Sequence, residues 1–192
     1  METRKLRFVT LVGSTRRQSA HRMIANTLPD LAPGGVCIDH LASVAGFPIY
    51  DADTQAVGFP NIVEITGAAI AESDGVIIVS PEYNYSVPGP LKNAIDWVSR
   101  LPSAPFAGKP VAIQSASPGM LGGARMQYHL RQIMVYLDAR VLNKPEVMIS
   151  QVTTKIDGST ERLTDEATRA FIQSQLNAFA AFVQPTHCVG PR

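Results

Sequence analysis

A chain of 192 residues, 45% hydrophobic and 17% charged, is long enough to bury a core without disulfides or metals, and one domain over residues 1–192 is expected. The formal net charge of +1 supplies no bulk attraction to nucleic acid or to an anionic membrane, so neither is expected as a partner. No stretch approaches the roughly 18 apolar residues of a spanning helix, and the N-terminal run FVTLV is too short for the apolar part of a signal peptide, so a cytoplasmic protein is expected.

Leu6–Val12 (LRFVTLV) reads as a strand, and Ser19–Leu28 as a short helix that stops before Pro29. Val36–Leu41 reads as a second strand, with Cys37 inside the apolar VCI and therefore expected in the core. Cys188 lies in a Pro/Gly-bounded tail, and two distant cysteines without a CxxC spacing exclude a disulfide framework and a dithiol centre. AGFPIYDAD follows as irregular chain; Ile62–Ala71 has helical spacing. Gly75–Val79 is almost wholly apolar, as in a strand covered on both faces of a parallel sheet. Leu91–Leu101 reads as a helix entered through Pro88 and Pro90, Val111–Gln114 as a strand, and Gly123–Ala139 as a long helix. Val141–Ile149 is a last strand interrupted by NKPE. The final helix, Asp165–Val183, has Thr164 as its expected N-cap and acidic residues in its first turn, which suits the helix dipole. Five strands alternating with five helices predict a doubly wound α/β fold: a five-stranded parallel sheet with right-handed crossovers and helices on both faces.

Such sheets bind ligands outside the carboxyl ends of their strands. After the first strand, GSTRRQS runs into a helix, whose first amides are unpaired and partly positive. Ser14, Thr15 and Ser19 add hydroxyls, and Arg16 and Arg17 add charged donors worth roughly 1.5–3 kcal/mol each. The pattern suits an anion. The competing reading is that Ser19 only caps the helix and the arginines are solvated. Neither GxxxxGK[ST] nor GxGxxG is present here, which speaks against nucleotide hydrolysis and an NAD-type pyrophosphate clamp. After the third strand, PEYNYSVPGP places Tyr83, Asn84 and Tyr85 where flat rings and amides can seat a planar, hydrogen-bonding ligand. The alternative is that the tyrosines are lids or interface residues and the prolines only shape the next helix. After the fourth strand, SASPGMLGGAR lets backbone approach a neighbour closely at Gly122 and Gly123. The histidines beyond the first loop, His40, His129 and His187, are scattered and suggest no metal site.

Together with YDAD, SRLP and YHLRQI, these segments resemble the bacterial NAD(P)H-dependent FMN reductases of flavodoxin-like fold, in their quinone and chromate reductase branch. The likeness covers nearly the whole chain; PEYN with the following LKNAIDW is its most specific part, the glycine loop its least. The resemblance implies that the first loop holds the FMN phosphate through Gly13, Ser14, Arg16 and Ser19, with backbone groups of Gln18 and Ala20. His21 stands where relatives carry asparagine, so the phosphate contact there is expected to be a donor whose charge depends on pH. The resemblance further implies that Pro81, Glu82, Tyr83, Asn84 and Tyr85 cradle the isoalloxazine, and that Ser115 and Ser117 border the same site. NADH or NADPH would pass hydride to the flavin, and the reduced flavin would serve quinones, with chromate, azo and nitro compounds as further acceptors, in one shared pocket by ping-pong kinetics. No catalytic side chain is required. Relatives are homodimers or homotetramers, and Arg125, Tyr128, Arg131, Tyr136 and Glu146 are the residues here that suit a subunit contact. Arg100 is a candidate for attracting anionic substrates, or else only offsets a helix dipole. The competing function is a flavodoxin-type electron carrier; such carriers are strongly acidic, and this chain is near neutral.

Overall fold

The computed structural model describes residues 4–183, so His187 and Cys188 lie outside the described residues. Four long strands, β1 (Leu6–Val12), β2 (Val36–His40), β3 (Gly75–Ser80) and β4 (Pro110–Ala116), pair in parallel in the order β2-β1-β3-β4. A fifth line of chain completes the edge in two pieces, β5 (Arg140–Val141) and β6 (Val147–Ile149), both parallel to β4. This is the flavodoxin-like strand order.

Every residue of β3 and β4 is buried, as expected of central strands covered on both faces. Side chains alternate between the two layers. Phe8 and Ile77 face α1 (Ala20–Leu31) and α6 (Glu166–Val183), while Val9 and Ile78 face the opposite layer. That layer holds α3 (Asn61–Glu72), α4 (Gly89–Val98) and α5 (Ala124–Tyr136). Ile77 and Ile78 are fully buried, each contributing about 1.5–3 kcal/mol over an exposed position. Trp97 is also fully buried, and its indole N–H donates to Pro48 O at 2.9 Å, so its burial leaves no donor unpaired.

The register decides where function can sit. Val12 lies beside Val79, and Ser80 beside Ser115, so β1, β3 and β4 end at one height and deliver their loops to one edge.

Several local expectations need correction. Helix α1 runs through Pro29 to Leu31, because Leu28 and Leu31 are both buried against the core and hold the last turn. Cys37 is exposed: β2 is an edge strand whose alternation turns Ile38 inward and Cys37 outward. The stretch AGFPIYDAD, read as irregular, gives its last two residues to a short helix, α2 (Ala52–Val57), capped by Asp51 and burying none of its residues, which is why it carries no periodic signal. The cap of α6 is Asp165 rather than Thr164, its carboxylate accepting from the Thr168 amide at 2.9 Å. The interruption of the last strand is present. Gln175 plugs the gap by donating to Pro145 O at 2.8 Å and Ile113 O at 3.2 Å, while Gln127 donates to Val147 O at 2.8 Å. A two-residue ribbon, β7 (Ile156–Asp157) with β8 (Arg162–Leu163), then folds onto α1.

Candidate active site

At the carboxyl edge of the sheet the loops enclose a cleft of about 290 Å³. The first loop contributes Ser14, Arg16, Ser19, Ala20 and His21. The turn after β3 contributes Pro81 and Tyr83, and the loop after β4 contributes Pro118.

The first loop is shaped by its own small residues. Gly13 takes no part in lining the cleft. A Cβ there would lie 2.3 Å from Ser80 Oγ and 2.9 Å from Leu91, so glycine is what lets β1 pass against β3 before the loop opens. Ser14 Oγ accepts from the Arg16 amide at 3.4 Å, and Ser19 Oγ accepts from the Arg22 amide at 3.1 Å as the N-cap of α1. The capping reading of Ser19 is therefore correct, and it does not close the site. The amides of Ala20 and His21, the first two of the helix, have no backbone acceptor among the described residues. Arg16 is exposed and makes no side-chain bond among the described residues, so its guanidinium is available to a ligand. No carboxylate lines the cleft. Hydroxyls, helix N-terminal amides and one guanidinium form a donor set that fits a phosphate group.

His21 differs from the expectation of a pH-dependent donor. It is buried, and its Nε2–H donates to the carbonyl of Ala116 at 3.0 Å, tying the start of α1 to the end of β4. Burial pushes its pKa down to about 4, against the pull of that bond, and Arg16 adds to the lowering. At neutral pH the ring is uncharged and its Nε2 proton is committed to protein.

The turn after β3 is unusually tight. Tyr83 and Ser86 exchange two backbone hydrogen bonds of 3.0 Å each, which forces Asn84 and Tyr85 to φ of 48° and 68°. Asparagine tolerates that left-handed region; for tyrosine it costs about 1–2 kcal/mol. The turn stays in place because α5 grips it. Glu82 Oε2 accepts from the amides of Arg125 (3.0 Å) and Met126 (3.2 Å), and the Arg125 guanidinium lies 3.8 Å over the Tyr85 ring. The side chain of Glu82 is thus turned to α5, away from the cleft, and Asn84 and Tyr85 stand at the exposed tip.

Other expected residues are not among those that line the cleft. Gln18 lines, with Arg16, Arg17 and Glu161, an adjoining surface hollow that shares Arg16 with the cleft. Ser115 is fully buried, and its hydroxyl accepts from Gln127 Nε2 at 2.8 Å. Ser117 bonds Gly119 O at 3.2 Å within its own loop and does not line the cleft. Arg100 follows α4, a ten-residue helix about 15 Å long that starts near the site edge, and its guanidinium lies 5.3 Å over the Tyr50 ring. Arg100 therefore does not line the cleft.

One wall went unread in the sequence: Val152, Thr153 and Ile156 close the cleft from the chain after β6. The amides of Gln151 and Val152 bond Gly119 O and Ser117 O at 3.2 and 3.1 Å, so this segment is laid along the glycine loop. The available signal was topological, since the fifth parallel strand also ends at this edge.

The profile of the NADPH-dependent FMN reductase family matches residues 6–154, which hold all three loops. The chain is 54% identical to a quinone reductase of Escherichia coli over 94% of its own length and 96% of that protein's. It is 45% identical to an NAD(P)H-dependent FMN reductase of Pseudomonas aeruginosa, covering 93% and 96% of the two chains. Among solved structures, FerB of Paracoccus denitrificans, a flavoenzyme NAD(P)H:(acceptor) oxidoreductase, superposes with a TM-score of 0.82 at 31% identity, over 93% of this chain and 97% of that one. With its strand order, its anion-ready first loop and these relatives, the chain belongs to the NADPH-dependent FMN reductase family and is an oxidoreductase working with FMN and NAD(P)H.

Proposed function

We propose that this chain transfers electrons from NAD(P)H to quinones by way of FMN held in the described cleft. The observation that carries the reading is the joining, in one cleft, of a phosphate-type donor set at the start of α1 to flat, largely apolar walls at Pro81, Tyr83, Val152 and Ile156. Ser14, Ser19 and the amides of Ala20 and His21 would hold the phosphate, with Arg16 neutralising its charge. Pro81 and Tyr83 would face the ring, and the tip of the turn, with the Asn84 side chain and the amides of Asn84 and Tyr85, would meet its polar edge. FMN, when bound, supplies the hydride-accepting and hydride-donating chemistry, and the protein's part is to seat it and limit access of water. The same open cleft would receive donor and acceptor in turn, giving ping-pong kinetics and tolerance of chromate, azo and nitro acceptors.

Homo-oligomerisation belongs to the same reading. Helix α5 leaves Tyr128, Val135 and Tyr136 exposed, whereas Arg131 and Glu146 pair with each other within the chain at 3.7 Å. The apolar stripe is therefore the part of this surface that suits a second copy.

Purified protein should show a bound-flavin spectrum, bleach on anaerobic addition of NAD(P)H and recover on addition of a quinone. Initial rates varied in both substrates should give parallel double-reciprocal lines. A colourless protein that takes up no FMN overturns the reading, and intersecting lines overturn the shared pocket.

A further inference from the structure

Helix α5 has no cap of its own and cannot have one. Its N-cap residue is Gly123, at φ 84°, and a Cβ there would lie 2.8 Å from Ser115 Cβ. The preceding Gly122, at φ 58°, would place a Cβ 2.6 Å from the carbonyl carbon of Met148. Any capping side chain is therefore excluded from both positions, and the first amides of α5 must be satisfied from outside the helix. Glu82 does this, with two amides on one carboxylate oxygen and the Arg125 guanidinium on the other at 3.3 Å. The residue that supplies the cap is also the one that enters the strained turn. Further along the helix, His129 Nδ1 lies 3.0 Å from Ser86 Oγ at the turn's exit. Helix α5 thus meets the turn at Glu82, Tyr85 and Ser86.

We infer that Glu82 is a positioning residue: by serving as the remote N-cap of α5 it fixes the Tyr83–Ser86 turn in the conformation that receives FMN. The inference rests on the proposal that this turn faces the ring. It requires no contact between the Glu82 side chain and FMN. Removing the carboxylate leaves two helix amides unpaired and releases Tyr85 from a backbone conformation it otherwise avoids.

The test compares wild type, Glu82→Ala and Glu82→Gln. Glutamine keeps one oxygen for the amides but sets its NH2 against the Arg125 guanidinium. Two quantities are read: FMN affinity, from fluorescence quenching by apoprotein, and amide hydrogen exchange of the apoprotein by NMR. In Glu82→Ala, exchange should quicken at Arg125 and Met126 and also at Tyr83 and Ser86, with the FMN dissociation constant raised about five- to tenfold. Glu82→Gln should move both in the same direction by less, and it carries the test if the alanine variant does not fold. If exchange quickens only at Arg125 and Met126 while FMN affinity stays at the wild-type value, Glu82 merely caps a helix and the inference fails. If wild type itself binds no FMN, the functional proposal fails first, and the two failures are distinguishable.

Discussion

Helices α1 and α5 begin at the same edge of the sheet, each after a loop of small residues, yet they offer opposite chemistry to a ligand. At α1 the cap is local: Ser19 satisfies the Arg22 amide and leaves the amides of Ala20 and His21 facing the cleft beside Arg16. At α5 the corresponding position is Gly123, and the amides of Arg125 and Met126 are already taken by Glu82. The glycine-rich loop before α5 looks the more suited to a phosphate and is the one that cannot take it. A helix N-terminus is an anion site only when nothing in the fold has answered its amides first.

The largest effect expected from breaking this contrast is at Gly122. Gly122→Ala places a Cβ 2.6–2.9 Å from the backbone of Met148 and Ile149 at positive φ. Backbone cannot yield as a side-chain tip can, so urea unfolding should show a loss of about 3 kcal/mol or more. An unchanged midpoint would mean that the loop before α5 is not held against β6.

At α1, the comparable device is His21. Its folded-state pKa of about 4 lies below the ordinary 6.5, so as pH falls the unfolded chain takes up the proton first. The associated stability is whole above pH 6.5 and is lost as pH falls from 6.5 to 4, amounting to about 3 kcal/mol, with no further change below. Urea midpoints across that range should slope for wild type and lose this share of the slope in His21→Asn. Equal slopes would show that His21 is not buried as a neutral ring.

Ser19→Ala removes the local cap and should cost about 1 kcal/mol in the same assay. It should also weaken the response of α1 to anions, which a purely structural cap would leave untouched.

The smallest effect on stability and the sharpest on function is at Arg16. Arg16→Ala should alter stability by less than about 0.5 kcal/mol. Inorganic phosphate should raise the apoprotein's melting temperature in wild type and much less in Arg16→Ala, since a charged hydrogen bond of roughly 1.5–3 kcal/mol is lost. In Glu82→Ala the phosphate response should persist at α1 and gain a weaker second component at the vacated amides of α5. Loss of the response in Glu82→Ala alone would invert the assignment of the two helices.

Much of this was legible in residues. The apolar runs of β3 and β4 announced a sheet covered on both sides, and Ser14, Arg16 and Ser19 announced a loop rich in hydrogen-bond donors. Those signals are local: burial of a strand shows in its own composition, and a capping serine acts within three residues. What failed to show was every feature made by distant partners. Cys37 sits in an apolar triplet, but only its place on an edge strand turns it outward. Arg100 stands inside the SRLP segment, but it is not among the residues that line the cleft. Glu82 stands inside the PEYN motif, but its carboxylate is spent on a helix 43 residues further on. Thr153 and its neighbours have no motif, and reach the cleft because a fifth strand ends there.

The sequence by itself therefore determined the strand and helix alternation, the class of sheet and the chemical character of the first loop, because each follows from periodicity and side-chain type over a few residues. Tertiary structure alone decided which helix N-terminus is open, which glycines exclude a cap and which side chains face the cleft. Those outcomes depend on atoms a few ångströms apart in space but distant along the chain: Gly122 and Met148 are 26 residues apart, Glu82 and Arg125 are 43 apart, and His21 and Ala116 are 95 apart.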